Sequence, residues 1–342
     1  MHLRTEGCTC APAHGSLCTD AAECAPSFTL PLGPEADTEV RAFDLGDGLL
    51  ALRTLVYVRL FDAAGALVDD LDPEWIDANT RFRHTWIDTH DVIELREGPW
   101  AGAVAVLTGS ADTTPAGDRL GYGIAVVDLA ARAVLWDWSS HGAVGDDQPI
   151  DPRLPYDRTH PLEAPEDWQH ANALLHGLEP DGRQFFWLSL RHQDWLIKVD
   201  VQTDAVVWRL GDGGDFALVA SLDDPVPLTP DRWMFHQHAP QLVARDGDRV
   251  ELVLFDNGNL RRAPDGTWDL GAELWSRVAG FALDEGALLA APTLSIGEPG
   301  EFISLIRGDA DLLPGGDRVQ YLVSWPGRPA IVTVDAHTGE EL

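Results

Sequence analysis

The sequence predicts an all-β protein, and within that class a β-propeller, from three observations. The chain is rich in tryptophan and turn formers, an apolar strand–Asp–turn–apolar strand phrase recurs along it, and a histidine-bearing phrase precedes several of the copies. Its 342 residues include 13 Trp, 32 Gly and 23 Pro. Such a balance favours short strands joined by tight turns over long helices.

The recurring phrase runs into Asp62, Asp128, Asp200, a weaker copy at Asp269, and Asp335. The intervals are 66, 72, 69 and 66 residues. A strand-turn-strand core at such a period points to propeller blades with long insertions. Each sheet can hide one apolar face only by stacking on its neighbour, so closure into a ring follows. A pair of β-sandwiches is the competing architecture, but it predicts no fixed period of this length. Trp136 and Trp208 each stand eight residues after the repeated Asp, and packing between blades is their expected role. Five copies are visible. That leaves a five-bladed ring, or a sixth blade built from irregular segments or lost from this chain.

Composition limits function. Lys plus Arg number 24 against 56 Asp plus Glu, for a net charge of -32. Clustered cations are what phosphate backbones and anionic membranes require, so nucleic acid and membrane surfaces are not expected partners. Hydrophobic residues make up 45% of the chain, too many for a disordered acidic polymer, and no apolar run is long enough for a spanning helix. Lys198 is the single lysine.

All four cysteines, Cys8, Cys10, Cys18 and Cys24, lie within the first 24 residues. An even, clustered count outside the main body reads as two disulfides in an exported protein, and the spacing fits no standard zinc pattern. The start Met1-His2-Leu3-Arg4 is not a signal sequence, so an export signal is expected upstream, the alternative being reduced thiols in a cytosol. The expected organisation is a cysteine-rich segment over residues 1–38 and a propeller over 39–342, in a periplasmic or extracellular protein.

The second phrase places His90, His170 and His238 in register, each ahead of an Asp-turn unit, with Gly308 at the corresponding place in the last copy. In a propeller the first strand of each blade borders the axis. Imidazoles from different blades would therefore converge at one mouth. Alternation along a strand would put His236 and His238 on the same face, which could serve a metal, although no third ligand is evident nearby. No metal or other cofactor is expected. Arg191 ends an apolar strand, and Asn257, Arg261 and Arg262 follow in an Asp-Asn-Gly turn. Each of these segments reads as a solvated loop or as an anion clamp.

The phrases Asp167-Trp168-Gln169-His170-Ala171-Asn172, Leu188-Ser189-Leu190-Arg191, Trp208-Arg209-Leu210-Gly211, Gln237-His238-Ala239 and Phe255-Asp256-Asn257-Gly258 occur in that order. In this the chain resembles the bacterial arylsulfate sulfotransferases over roughly residues 85 to 340. The resemblance implies an exported six-bladed propeller that moves a sulfuryl group from a phenolic sulfate ester to a phenol without a nucleotide sulfate donor. It implies that His170, His238 and Arg261 or Arg262 face the sulfate, and that a sulfohistidine forms. The chain departs from the family at Gly308, where a late blade would bring another histidine, and in lacking an amino-terminal β-domain.

Imidazole suits nucleophilic and proton-transfer work near neutral pH, and guanidinium suits sulfate oxygens. His238 or His170 is therefore the expected covalent residue, with the other as acid-base partner. Arg191, Arg261 or Arg262 are the expected sulfate ligands, and His90, Asn172, His236 and Asn257 complete the expected substrate site. A non-catalytic propeller binding a small aromatic or protein ligand at the same mouth, a hydrolase using water, and a metal-dependent enzyme are the alternatives.

Overall fold

The computed structural model describes residues 41–46, 49–53, 58–62, 66–114, 117–144, 167, 169–259, 261–267, 274–297, 299, 303–313, 320–325 and 330–335. All four cysteines, Asp269, His337 and the expected boundary at residue 38 lie outside them.

The architecture is all-β, a succession of five sheets. The first contains β1 (Arg41–Gly46), β2 (Leu49–Arg53), β3 (Val58–Phe61) and β4 (Leu67–Leu71). A short helix, α1 (Pro73–Asn79), leads on, its first turn closed by the Asp72 carboxylate, which accepts from the Trp75 N–H at 2.7 Å. The second sheet holds β5 (Trp86–Glu94), β6 (Val104–Thr114), β7 (Gly117–Asp128) and β8 (Ala133–Ser139). The third holds β9 (Ala171–Leu178), β10 (Gln184–Leu190), β11 (Trp195–Asp200) and β12 (Val206–Gly211).

In the fourth sheet β14 (His238–Asp246), β15 (Arg249–Asp256), β16 (Arg277–Asp284) and β17 (Leu289–Ile296) form an antiparallel meander. A two-residue strand, β13 (Ala217–Leu218), joins its outer edge in parallel. The fifth contains β18 (Asp309–Leu313), β19 (Gln320–Trp325) and β20 (Ala330–Asp335). First strands meet in succession, β1 on β5, β5 on β9, β9 on β14 and β14 on β18. This is the propeller-type stacking in which inner strands share one axis. Among the described residues no helix is long and apolar enough to cross a membrane.

The repeated aspartate closes the turn from third to fourth strand. Asp62 Oδ1 accepts the Ala66 N–H, Asp128 Oδ1 the Ala131 N–H, and Asp200 Oδ1 the N–H groups of Gln202 and Thr203, all at 2.8 to 2.9 Å. A short carboxylate does here what a backbone carbonyl does in a β-turn. In the fourth sheet this residue is Asp284, which accepts the Ala287 N–H at 2.8 Å. Asp269 is thus not the fourth copy. The last two intervals become 84 and 51 residues, and the near-constant period gives way to one set by unequal insertions.

Core side chains fill four layers, one between each successive pair of sheets. Trp136 stacks on Phe186 of the next sheet, with centroids 5.3 Å apart and planes 3° apart. Trp208 packs edge-on against Trp187 at 5.1 Å and donates its indole N–H to Glu285 of the fourth sheet. Both tryptophans are inter-sheet packing residues. The layer between the third and fourth sheets also buries charge: Lys198 and Arg245 share the carboxylates of Glu179 and Glu285.

Gly308 explains why no histidine enters from the fifth sheet at its position. Its φ is +108°, and a Cβ there would sit 2.2 Å from the Phe255 ring, well inside contact distance. Gly308→Ala is expected to lower stability by roughly 2 kcal/mol or more through strain and overpacking, read as a reduced urea midpoint with unchanged slope.

Candidate active site

The histidines gather on the inner strands, three of them where a strand begins. His90 lies on β5, His170 and His236 just precede β9 and β14, and His238 opens β14. His170, His236 and Arg307 have φ of +47°, +56° and +62°, so three side-chain-bearing residues hold left-handed backbone at the entrances to β9, β14 and β18. That conformation is costly without glycine and marks places where the surroundings dictate side-chain direction. His236 consequently sits in a bend. The expectation that it shares a strand face with His238 fails, because alternation applies only within extended backbone.

The imidazoles form a row. Ring centroids lie 4.9 Å apart for His90 and His170, 4.7 Å for His170 and His192, and 5.7 Å for His192 and His236. Each ring lies beside an aspartate. His90 Nδ1 lies 2.7 Å from Asp88 Oδ1 and His170 Nδ1 2.6 Å from Asp167 Oδ2, whereas Asp194 Oδ1 accepts the His236 backbone N–H at 2.6 Å and lies 3.1 Å from its Nδ1. Tyr122 Oη donates to the other oxygen of Asp167 at 2.7 Å. Burial would push the Asp167 carboxyl up, but the adjoining His170 and the hydrogen bonds it receives from His170 and Tyr122 hold it well below the usual range. Asp167 is therefore ionised and orients His170, whose Nε2 has no hydrogen-bond partner among the described residues.

His238 is in a different state. Asn257 Nδ2 donates to the carbonyls of Ser304 and Arg307, each at 2.7 Å, so its Oδ1 must accept from His238 Nδ1 at 2.6 Å. His238 Nε2 then accepts the Arg307 N–H at 3.2 Å. Burial, followed by the charge of Arg191 and the nearby His90 and His170, drives its pKa well below that of a free imidazole. The ring is neutral, with both nitrogens engaged.

Arg191 is completely buried. Its Nη1 donates to His192 Nε2 at 2.6 Å and its Nη2 to the Leu305 carbonyl at 2.9 Å. This sets a buried guanidinium directly against the imidazole row, where charge acts with little screening. Asp167, His170 and His192 offer ligand atoms within 4.8 Å of one another, near enough to hold a metal ion. The guanidinium against His192 opposes a cation at that place and favours an anion.

Below the histidines, β18 carries Asp309, pushed up to about 7 by burial and by the charges of Asp311 and Asp91. Folded Asp309 keeps its proton up to that pH, whereas the unfolded chain loses it near pH 4. Stability therefore falls as pH rises from about 4 to about 7. Asp309→Asn is expected to remove this slope, melting above the wild type at pH 8 and level with it at pH 4.

Residues 76–328 match the family model described as Arylsulfotransferase (ASST). The chain belongs to the arylsulfotransferase family. A search of curated proteins finds no match. Similar solved structures include an exo-β-1,3-galactanase from Clostridium thermocellum, at 9% identity and TM-score 0.38, covering 86% of this chain and 58% of that one. Drosophila Plexin A in complex with Semaphorin 1b is similar at 11% identity and TM-score 0.35, covering 89% and 52%. An endo-1,5-α-L-arabinanase from Thermotoga petrophila is similar at 13% identity and TM-score 0.33, covering 87% and 71%. The chain thus spans little more than half the length of the first two, and similarity at this level says nothing of activity.

Within this arylsulfotransferase-family fold, the structure brings His90, His170, His236, His238 and Arg191 together and gives other predicted residues different work. Asn257, fully buried, uses its amide to orient His238 and the turn before β18. Arg261 is buried against Asp256 at 2.9 Å, beside Arg277, which donates to the same oxygen at 2.7 Å. Arg262 donates to Asp212 at 2.6 Å and to the Gly266 carbonyl at 3.0 Å. No described contact joins either arginine to the imidazoles. Asn172 donates to the Gln237 carbonyl at 2.8 Å, and its buried Oδ1 has no partner among the described residues. Asp88, His192 and Asp194 belong to the cluster although sequence reasoning did not select them. The Arg191-His192-Gln193-Asp194 run carried the signal, read there for its arginine alone.

Proposed function

We propose that this protein moves a sulfuryl group from a phenolic sulfate ester to a phenol through His170, without a nucleotide sulfate donor. The observation that carries the reading is the Asp167–His170 pair: an ionised carboxylate fixes Nδ1 at 2.6 Å and leaves the Nε2 lone pair for the sulfur. As Nε2 attacks, the N–S bond forms and the S–O bond to the aryl group breaks. The electron pair leaves on the aryloxide, which takes a proton from protonated His90, a cation matched by Asp88. The acceptor phenol then returns that proton to His90 while its oxygen attacks sulfur, and the N–S electrons revert to Nε2.

Arg191 acts as a fixed positive charge beneath the transferring group, where a preorganised cation needs no rearrangement during reaction. The Asn172 Oδ1 is an acceptor and suits a phenol hydroxyl better than a sulfate oxygen. His238, neutral and engaged at both nitrogens, holds the turn before β18. We read the five described sheets as part of a six-bladed ring in an exported, periplasmic or extracellular protein stapled by disulfides among Cys8, Cys10, Cys18 and Cys24.

The test uses 4-nitrophenyl sulfate with and without added phenol. Phenol is expected to accelerate nitrophenol release and to appear as phenyl sulfate. Release that ignores phenol would instead mark a hydrolase. Saturable binding with no release in either arm would mark a non-catalytic reader of aryl sulfates.

A further inference from the structure

His192 is a buried imidazole that the transfer chemistry leaves unused, and its surroundings fix its protonation. Its Nδ1 hydrogen-bonds the backbone carbonyl of Asp167. A carbonyl only accepts, so Nδ1 carries the hydrogen. Its Nε2 lies 2.6 Å from Arg191 Nη1, and a guanidinium only donates, so Nε2 is a bare lone pair. A proton there would set two donors against each other. The ring is packed between His170 and His236, at 4.7 and 5.7 Å.

We propose that His192 is a positioning residue, a neutral strut that ties the Arg191 guanidinium to the backbone of Asp167 and so couples the buried cation to the nucleophilic pair. This rests on the sulfuryl-transfer reading for what Arg191 and His170 do. The two ends of the strut have separate consequences. The Nδ1 end holds the main chain whose carboxylate aims His170, and losing it should lower kcat. The Nε2 end holds the guanidinium whose charge attracts the donor's sulfate, and losing it should raise KM.

Three variants separate the ends. His192→Phe keeps the ring and removes both nitrogens. His192→Asn places an amide N–H near the Nδ1 position, and His192→Gln places a carbonyl oxygen near the Nε2 position. We expect His192→Phe to lower kcat/KM by about 10- to 100-fold, the range for a hydrogen bond involving a charged group. His192→Asn should recover mainly kcat, and His192→Gln mainly the affinity for benzenesulfonate, a probe that cannot transfer its sulfur. Phe, Asn and Gln variants with equal deficits, or none, would overturn the strut.

A measurement independent of turnover accompanies these. In 15N NMR of the wild-type protein at pH 7, the His192 signal, assigned by its loss in His192→Phe, should show a protonated Nδ1 and a bare Nε2. A charged ring or the opposite tautomer overturns the proposal whatever the activity. The expected tautomer, with weakened benzenesulfonate binding in His192→Phe but no phenol-accelerated turnover in the wild type, would uphold the strut and sink the sulfuryl-transfer reading.

Discussion

His170→Ala should lower the rate of phenol-accelerated nitrophenol release by about a thousandfold or more, the scale expected when a covalent nucleophile is deleted. Nothing nearby replaces it. His90 is committed to carrying the proton, His192 is held at both nitrogens, and His238 is neutral with both nitrogens bonded. Benzenesulfonate binding should change little in His170→Ala, because the charge that attracts the anion resides on Arg191. Intact-mass measurement after mixing the wild type with donor alone should show a gain of one SO3 group, and the alanine variant should show none. Wild-type turnover in His170→Ala would end the assignment. His238→Ala makes the useful contrast: it leaves Asn257 Oδ1 and the Arg307 N–H without buried partners, a cost of about 1–3 kcal/mol each. Its loss should therefore appear first as lowered stability.

Why some of this was legible in the sequence, and some was not, follows from the range of the interactions involved. The Asp-turn phrase is local: Asp128 and Asp200 bond N–H groups two or three residues on, so residue type and neighbours suffice to reveal it. That histidines would gather was legible for the same reason, but their register was not: the backbone matches His170 with His236 and Arg307 rather than with His238, and His90 lies within β5. The fourth unit was misplaced because Asp269-Leu-Gly-Ala-Glu-Leu-Trp275 imitates the phrase, while the true turn at Asp284 follows a long insertion and has no tryptophan eight residues on.

Roles within the site depended on contacts that cross the chain. Arg261 and Arg277 meet on Asp256, and Arg191 reaches His192 on one side and Leu305 across 114 residues on the other. Nothing in a linear reading ranks Arg191 above Arg261 as the cation beneath the imidazoles. His192 stands alone in the linear sequence, and its meaning comes from Asp167, whose carbonyl it holds across 25 residues. Gly308 read as a missing histidine. The structure shows a position from which Phe255 excludes any side chain, with Arg307 taking the left-handed place that His170 and His236 take elsewhere.

Glu285→Gln is expected to be the most destabilising of these substitutions, by about 3–5 kcal/mol, the cost of removing one partner from a buried ionic cluster. Glu285 is 8% exposed and Lys198 3%. Lys198 Nζ lies 3.0 and 2.9 Å from the two Glu285 oxygens and also pairs with Glu179, and Arg245 Nη2 sits 2.7 Å from Glu285. The Phe185 ring lies 4.5 Å from Lys198 Nζ and 5.0 Å from the Arg245 guanidinium, which keeps water away and adds cation–π attraction. The glutamine variant leaves two cations facing one carboxylate in an apolar layer. The loss falls where the third and fourth sheets meet, and those sheets begin with His170 and His238. Urea unfolding should show a lower midpoint, and kcat/KM should fall only as far as the folded population does. Lys198→Met combined with Glu285→Gln should recover part of the loss, because one charge of each sign is then gone and Arg245 remains paired with Glu179. A single variant that costs less than about 1 kcal/mol would mean that solvent reaches the cluster, since exposed pairs contribute no more than that.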